Sequence, residues 1–175
     1  MTLDFLPPTA ADDAALVHDL TRRINAAYGA AEEELWVPGK DRIARERVAE
    51  ILGAGELAVA TVSGRIVGSV RVRDVEEEAG YFGLLAVEPE SQGAGIGGGL
   101  VEFAEAVSRG RGAAWMELRL LVPRDGRDVG KSRLYDWYVR LGYEEVERGD
   151  FGQSHPAAMD EWRTPLDMLT MRKRL

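Results

Sequence analysis

The sequence predicts an α/β domain in which a mixed, mostly antiparallel sheet of six or seven strands is flanked by helices. Three observations carry this. Two valine-rich runs, at 57–62 and 66–75, are separated by Ser63-Gly64 and spell a β-hairpin. A strand, a glycine loop, a helix and another strand then succeed one another between Tyr81 and Val122, the order of a parallel crossover. Two more strand-like runs, near 143–147 and 166–172, close the chain.

The elements follow in order. Leu3 to Leu6 reads as a short strand ended by Pro7-Pro8, after which Thr9 and Asp12 are placed to cap a helix carrying Leu16, Leu20, Ile24 and Ala27 at helical spacing. A second helix is expected over 41–52, where Ala44, Val48, Ile51 and Leu52 form one stripe before Gly53 and Gly55 stop it. In the hairpin, Val70 and Val72 alternate with Arg71 and Arg73, so one face is apolar. The strand at 81–87 ends at Pro89, and Leu100, Val101, Phe103, Ala104 and Val107 share a face of a helix at 96–109. The next strand, at 115–122, alternates Met116, Leu118, Leu120 and Val122 with Trp115, Glu117 and Arg119. A helix at about 131–141 carries Leu134, Trp137, Tyr138 and Leu141 as a stripe and is stopped by Gly142.

Composition narrows the function. The 175 residues contain no cysteine, which removes disulfides, thiolate metal sites and a cysteine nucleophile. A net charge of −8 disfavours binding to a phosphate backbone, so no nucleic-acid partner is expected; it also tilts the expected substrate toward a cationic amine. The opening thirteen residues hold Pro7, Pro8 and three aspartates where a secretory signal needs basic and then apolar residues, and no apolar run spans a membrane, so a cytoplasmic location is expected. His18 and His155 stand apart from any metal-ligand spacing, and no metal is expected.

The run from Gln92 to Gly99 demands an explanation, because each glycine in a helix costs about 0.8–1 kcal/mol relative to alanine. Bare backbone at a helix N-terminus lets an anion approach unsatisfied N–H groups; tight helix-on-strand packing is the bland alternative. Gly93-x-Gly95-x-x-Gly98 matches a dinucleotide fingerprint, yet Glu88 to Gln92 separate strand from glycines and Glu117 lies mid-strand, so an NAD(P) enzyme is a distant alternative. Gly126 to Ser132 imitates a phosphate-binding P-loop but is one residue short, with Asp125 where its first glycine belongs.

Gln92-Gly-Ala-Gly95-Ile-Gly97, following Leu84-Leu-Ala-Val-Glu-Pro, resembles the acyl-CoA-binding motif of the GNAT superfamily of N-acyltransferases, whose pattern is Arg/Gln-x-x-Gly-x-Gly/Ala. Tyr138, ahead of Gly142-Tyr143, is similar to the tyrosine that precedes a Gly-aromatic pair in the same superfamily. The resemblance extends over about 57–175 and implies one acetyltransferase domain over 1–175, with an N-terminal strand and substrate-side helices over 1–55 and the sheet core over 56–175. It also implies a sheet splayed at the cofactor site, where acetyl-CoA is the cosubstrate. Its diphosphate would lie on Gln92, Gly93, Ala94, Gly95, Ile96 and Gly97, and its pantetheine along the backbone of Leu85, Ala86 and Val87. Lys131 stands where many members have Asn, and is expected to reach a phosphate. Tyr138 is the implied general acid toward the departing thiolate. The acceptor would be a small-molecule or peptide amine, acetylated by direct attack in a ternary complex since no cysteine offers a relay. A non-catalytic acyl-CoA-binding module is the main alternative, and a homodimer is compatible with the resemblance. The base is not named: the position comparable to a family glutamate holds Tyr81, leaving Glu34, Glu56, Glu88 and Glu117 as candidates. The irregular segment 151–162 is a further candidate for lining the acceptor pocket.

Overall fold

A computed structural model describes residues 1–32, 35–37, 39, 41–76, 78–125, 128–155 and 161–175. Its strands are β1 (Thr2–Phe5), β2 (Leu57–Val62), β3 (Arg65–Glu76), β4 (Ala79–Val87), β5 (Trp115–Pro123), β6 (Glu144–Asp150) and β7 (Leu166–Arg174). They form one seven-stranded sheet in the order β1-β2-β3-β4-β5-β7-β6. All neighbours are antiparallel except β4 and β5. The hairpin turn takes positive φ at Ser63 (50°) and Gly64 (78°), the geometry that lets a two-residue turn follow strand twist.

The helices are α1 (Ala14–Glu32), α2 (Arg45–Gly53), α3 (Ile96–Gly110), α4 (Val129–Arg140) and the single turn α5 (Phe151–Ser154). On β2 the alternation splits cleanly. Ala58 and Ala60 join the core under α3 and α4, whereas Leu57 and Val59 join the core under α1 and α2. Both faces of the sheet are therefore covered, which is why β2 reads as a nearly continuous apolar run.

Two helix starts differ from the sequence expectation. Neither Thr9 nor Asp12 caps α1: a 3₁₀ turn over Pro8–Asp12 intervenes, and Asp13 Oδ1 accepts the N–H groups of Ala15 and Leu16, both at 3.0 Å. The second helix begins at Arg45 rather than 41, because the Asn25 side chain clamps both backbone groups of Ile43 at 3.0 Å and holds that stretch outside the helix.

Close approach of α3 to the sheet is made by glycines in the strands. A Cβ on Gly68 would stand 3.0 Å from the Ala86 carbonyl oxygen, and one on Gly80 would stand 2.3 Å from Ser108 Oγ and 2.5 Å from its Cβ. Gly80→Ala is expected to destabilise the fold by about 1–3 kcal/mol through overpacking, with Ser108→Gly restoring part of the loss in a urea titration; additive losses would refute the contact.

The parallel pairing of β4 with β5 covers only Ala79–Tyr81 against Trp115–Glu117. Beyond those three pairs the strands diverge. Among the described residues no strand pairs with the β5-facing edge of β4 from Phe82 to Val87, and the expected splay is present.

Candidate active site

The divergence of β4 and β5 opens a cavity of about 560 Å³. One wall is Leu85, Ala86 and Val87 of β4, and the opposite wall is Arg119, Leu120 and Leu121 of β5. Gln92, Gly93, Gly95, Ile96, Gly97 and Gly98 form its rim, and Lys131, Leu134, Trp137 and Tyr138 of α4 close it from the side. Ten of the eleven residues singled out from the sequence thus converge here. Ala94 does not line this cavity; it faces a separate depression with Met1, Val62 and Arg65.

The glycine loop is bare for a reason other than packing. A Cβ on Gly93, Gly95 or Gly98 would meet nothing within 4 Å, and one on Gly97 would make only ordinary contact with Trp137 and Val87 at 3.8 Å. Gly93 and Gly95 both have φ of 80°, and Gly95 is the residue ahead of α3. The first backbone bond of that helix runs from Gly99 N–H to the Gly95 carbonyl at 3.0 Å, so the N–H groups of Ile96, Gly97 and Gly98 precede the ladder. Positive dipole, free donors and absent side chains at one rim fit the diphosphate of a coenzyme.

Within β4, Leu84 holds φ of 48°, and Leu84 and Leu85 of β4 oppose the single Val70 of β3 between the pairs Ser69–Ala86 and Arg71–Gly83. This is a β-bulge with a non-glycine residue in the left-handed region, which costs of order 1 kcal/mol and re-aims the strand where the cavity begins. The two amino acids Leu84-Leu85 carry no turn signal, and the bulge was not legible from them.

Tyr138 is 5% exposed and packs against Trp137, Phe82 and Tyr143 at ring separations of 4.9, 6.0 and 6.0 Å. Burial, with smaller contributions from Tyr28 and Tyr81, pushes its phenol well above the usual range, so it is protonated at neutral pH. It lines the first cavity and also a second, of about 440 Å³, on the α1 and α2 side of the sheet. Tyr28, Arg42, Leu85 and Arg119 are the other residues common to both. The two spaces meet there.

Lys131 lies in the cavity wall, but its ammonium is held by Glu32 Oε1 at 2.5 Å rather than lying open to a phosphate. Both side chains are at most 5% exposed. Glu32 Oε2 accepts the Trp36 indole N–H at 2.7 Å, and Arg42 stands 4.0 Å away. Burial pushes the Glu32 carboxyl up, but the charges of Lys131 and Arg42 and the two hydrogen bonds bring it below the usual carboxylate range. Sequence reasoning missed this residue: Glu32 and Lys131 are 99 positions apart and no periodicity links them.

None of Glu56, Glu88 and Glu117 lines either cavity. Glu56 is bound by Arg71, Glu88 by Arg23 and Arg65, and Glu117 by Arg172. Glu34 lies outside the described residues, as do Gly126, Arg127 and 156–160. Of the segment 151–162, His155 reaches the second cavity, stacked on Phe151 at 4.2 Å.

Residues 53–145 match the family described as acetyltransferase (GNAT) domain, and the chain belongs to that family. It is an acyltransferase that uses acetyl-CoA as acyl donor for acetyl transfer. No protein of curated function matches the sequence significantly. Among solved structures, the fold is similar to an aminoglycoside 6′-N-acetyltransferase complexed with coenzyme A (TM-score 0.73, 16% identity, 99% of this chain and 97% of that one). It is also similar to ribosomal-protein-alanine N-acetyltransferase from Brucella melitensis (0.67, 18%, 100% of each chain). A third likeness is to YncA from Salmonella typhimurium with acetyl-CoA (0.65, 17%, 100% and 94%). At such identities the likeness is one of fold. Among the described residues no helix is long and apolar enough to cross a membrane, and no cluster suits a metal.

Proposed function

We propose that this chain is a cytoplasmic N-acetyltransferase that moves the acetyl group directly from acetyl-CoA to an amine, within a single domain and without a covalent enzyme intermediate. The observation that carries the reading is the meeting of the two cavities at Tyr138: one has the bare glycine rim that suits the donor, the other is a separate space for the acceptor. The N–H groups of Ile96, Gly97 and Gly98 would hold the diphosphate, with Gln92 and Gly93 beside them, and the unpaired edge of Leu85, Ala86 and Val87 would hold the pantetheine arm. Lys131 shapes the wall through Glu32.

The reaction forms a C–N bond and breaks the thioester C–S bond. Of the two protons an ammonium acceptor loses, one ends on the sulfur and the other leaves to solvent. Burial keeps the Tyr138 phenol in the protonated form from which an acid must start. Among the described residues of the acceptor cavity, His155 carries the imidazole, whose ring nitrogen can accept the amine's proton.

Tyr138→Phe is expected to lower kcat by roughly 10²–10⁴-fold while the Kd for CoA changes little, measured by thiol release and calorimetry. An unchanged kcat would remove Tyr138 from the chemistry. A burst of acetyl-enzyme before any amine is added would overturn direct transfer.

A further inference from the structure

We propose that the acceptor is a small amine that also bears an anionic group, a carboxylate or an oxyanion of similar size, and that Arg42 and Arg119 receive that group in the second cavity. This rests on the acetyl-transfer reading and goes beyond it, and it differs from the cationic amine suggested by the net charge. Potential inside a cleft is set by the groups that line it, not by the sum over the chain.

The described lining of the second cavity contains Arg42, Arg47, Arg71, Arg119 and His155 and no aspartate or glutamate. The arginines differ in what they already hold. Arg71 is closed by Glu56, with Nε and Nη2 at 2.7 and 2.6 Å from one carboxylate oxygen, and serves as wall. Arg47 pairs with Glu50 across one turn of α2, both exposed, a contact of little strength that a ligand can exchange.

Arg42 and Arg119 have donors to spare. The Arg42 guanidinium carbon lies 5.0 Å from the Tyr28 ring centre and 5.9 Å from that of Trp36, yet its Nε is buried with no hydrogen bond. Glu32, 4.0 Å off, is already taken up by Lys131 and Trp36. Arg119 stands 3.6 Å from Glu117, whose other oxygen accepts from Arg172 at 3.0 Å. A buried Nε–H with an unmade hydrogen bond, as at Arg42, is costly, and a planar oxyanion meets a guanidinium fork with two parallel bonds. Because Arg42 and Arg119 line both cavities, an anion held there lies close to the junction, so amine and anion must be only a few bonds apart. Arginines at the junction also disfavour the ammonium form of the acceptor, which helps to supply the neutral amine that attacks.

The test compares matched amines on the CoA-loaded or acetyl-CoA-supplied protein: α- and β-amino acids, their carboxamides, the corresponding decarboxylated amines, and aminoalkyl phosphonates and sulfonates. Binding is read by calorimetry and turnover by thiol release. The expected result is about tenfold or greater preference in kcat/KM for anion-bearing amines over carboxamides, a preference that Arg42→Gln and Arg119→Gln each reduce about tenfold or more. The phosphonate and sulfonate arms show which oxyanion fits best. Equal or better turnover of carboxamides and decarboxylated amines overturns the inference while leaving acetyl transfer standing. Selective binding of anionic amines without turnover of any amine supports the anion site and overturns acetyl transfer. Neither binding nor turnover across the set overturns both, and the comparison of acceptors on the unmutated protein does not depend on how the variants fold.

Discussion

Replacing Lys131 by methionine is expected to destabilise the protein by about 3–5 kcal/mol, because it strands the Glu32 carboxylate where it is 3% exposed. In a chain of this size that is a fall in Tm on the order of 10 °C. The double variant Lys131→Met with Glu32→Gln removes the stranded charge and is expected to recover most of the loss. The pair also has a pH signature. Since the folded carboxyl of Glu32 lies below its unfolded value, its contribution is fully present above the unfolded pKa, about 4.3, and is lost as pH falls through the folded one. Calorimetric Tm at neutral and acid pH reads it: the deficit of Lys131→Met against the parent should shrink on acidification. A Tm for Lys131→Met within a degree or so of the parent would mean that the pair carries no stability.

Gly97→Leu should have the larger effect on function and little on folding. Gly97 has ordinary helical φ, and a new Cβ meets only van der Waals contact at 3.8 Å, so the helix gains propensity of up to about 1 kcal/mol. The same side chain fills the rim where the free N–H groups converge. Losing two hydrogen bonds to an anionic ligand is worth about 3–4 kcal/mol, a weakening of CoA binding by a few hundredfold. Gly110→Ala, at the other end of α3 and facing open space, is the control that should bind CoA normally. Normal CoA affinity in Gly97→Leu would show that the diphosphate does not rest on this rim. Gly95 is a poorer test, since its φ of 80° makes any side chain strained irrespective of the ligand.

What the sequence made readable was whatever is written locally. The Ser63-Gly64 turn, the valine alternation of β3 and the glycine spacing after β4 each constrain backbone within a few residues, and the fold assembled from them is the one observed. The first helix cap was misplaced by one residue because two prolines favour a 3₁₀ turn before α1 starts. Most of the lining of the first cavity could be singled out because one loop and the strand before it supply its rim and one wall. The second cavity could not, because its arginines come from three separated stretches of chain, and no spacing announces that 42 and 47 will share a cavity with 71 and 119. Glu32 stayed invisible for the same reason. Net charge does not describe this cavity, whose described lining holds no aspartate or glutamate.

The three-pair seam between β4 and β5 has a mechanical meaning. The sheet is two leaves bound along a short spine, and Tyr138, Tyr143, Leu118 and Leu100 lie in the core that α3 and α4 share with both leaves. A methyl group added or removed in that core is expected to alter the opening angle, and through it the width of both mouths at once. Affinity for either substrate is thereby expected to respond to the packing of the core behind the site, and not only to the side chains that line it.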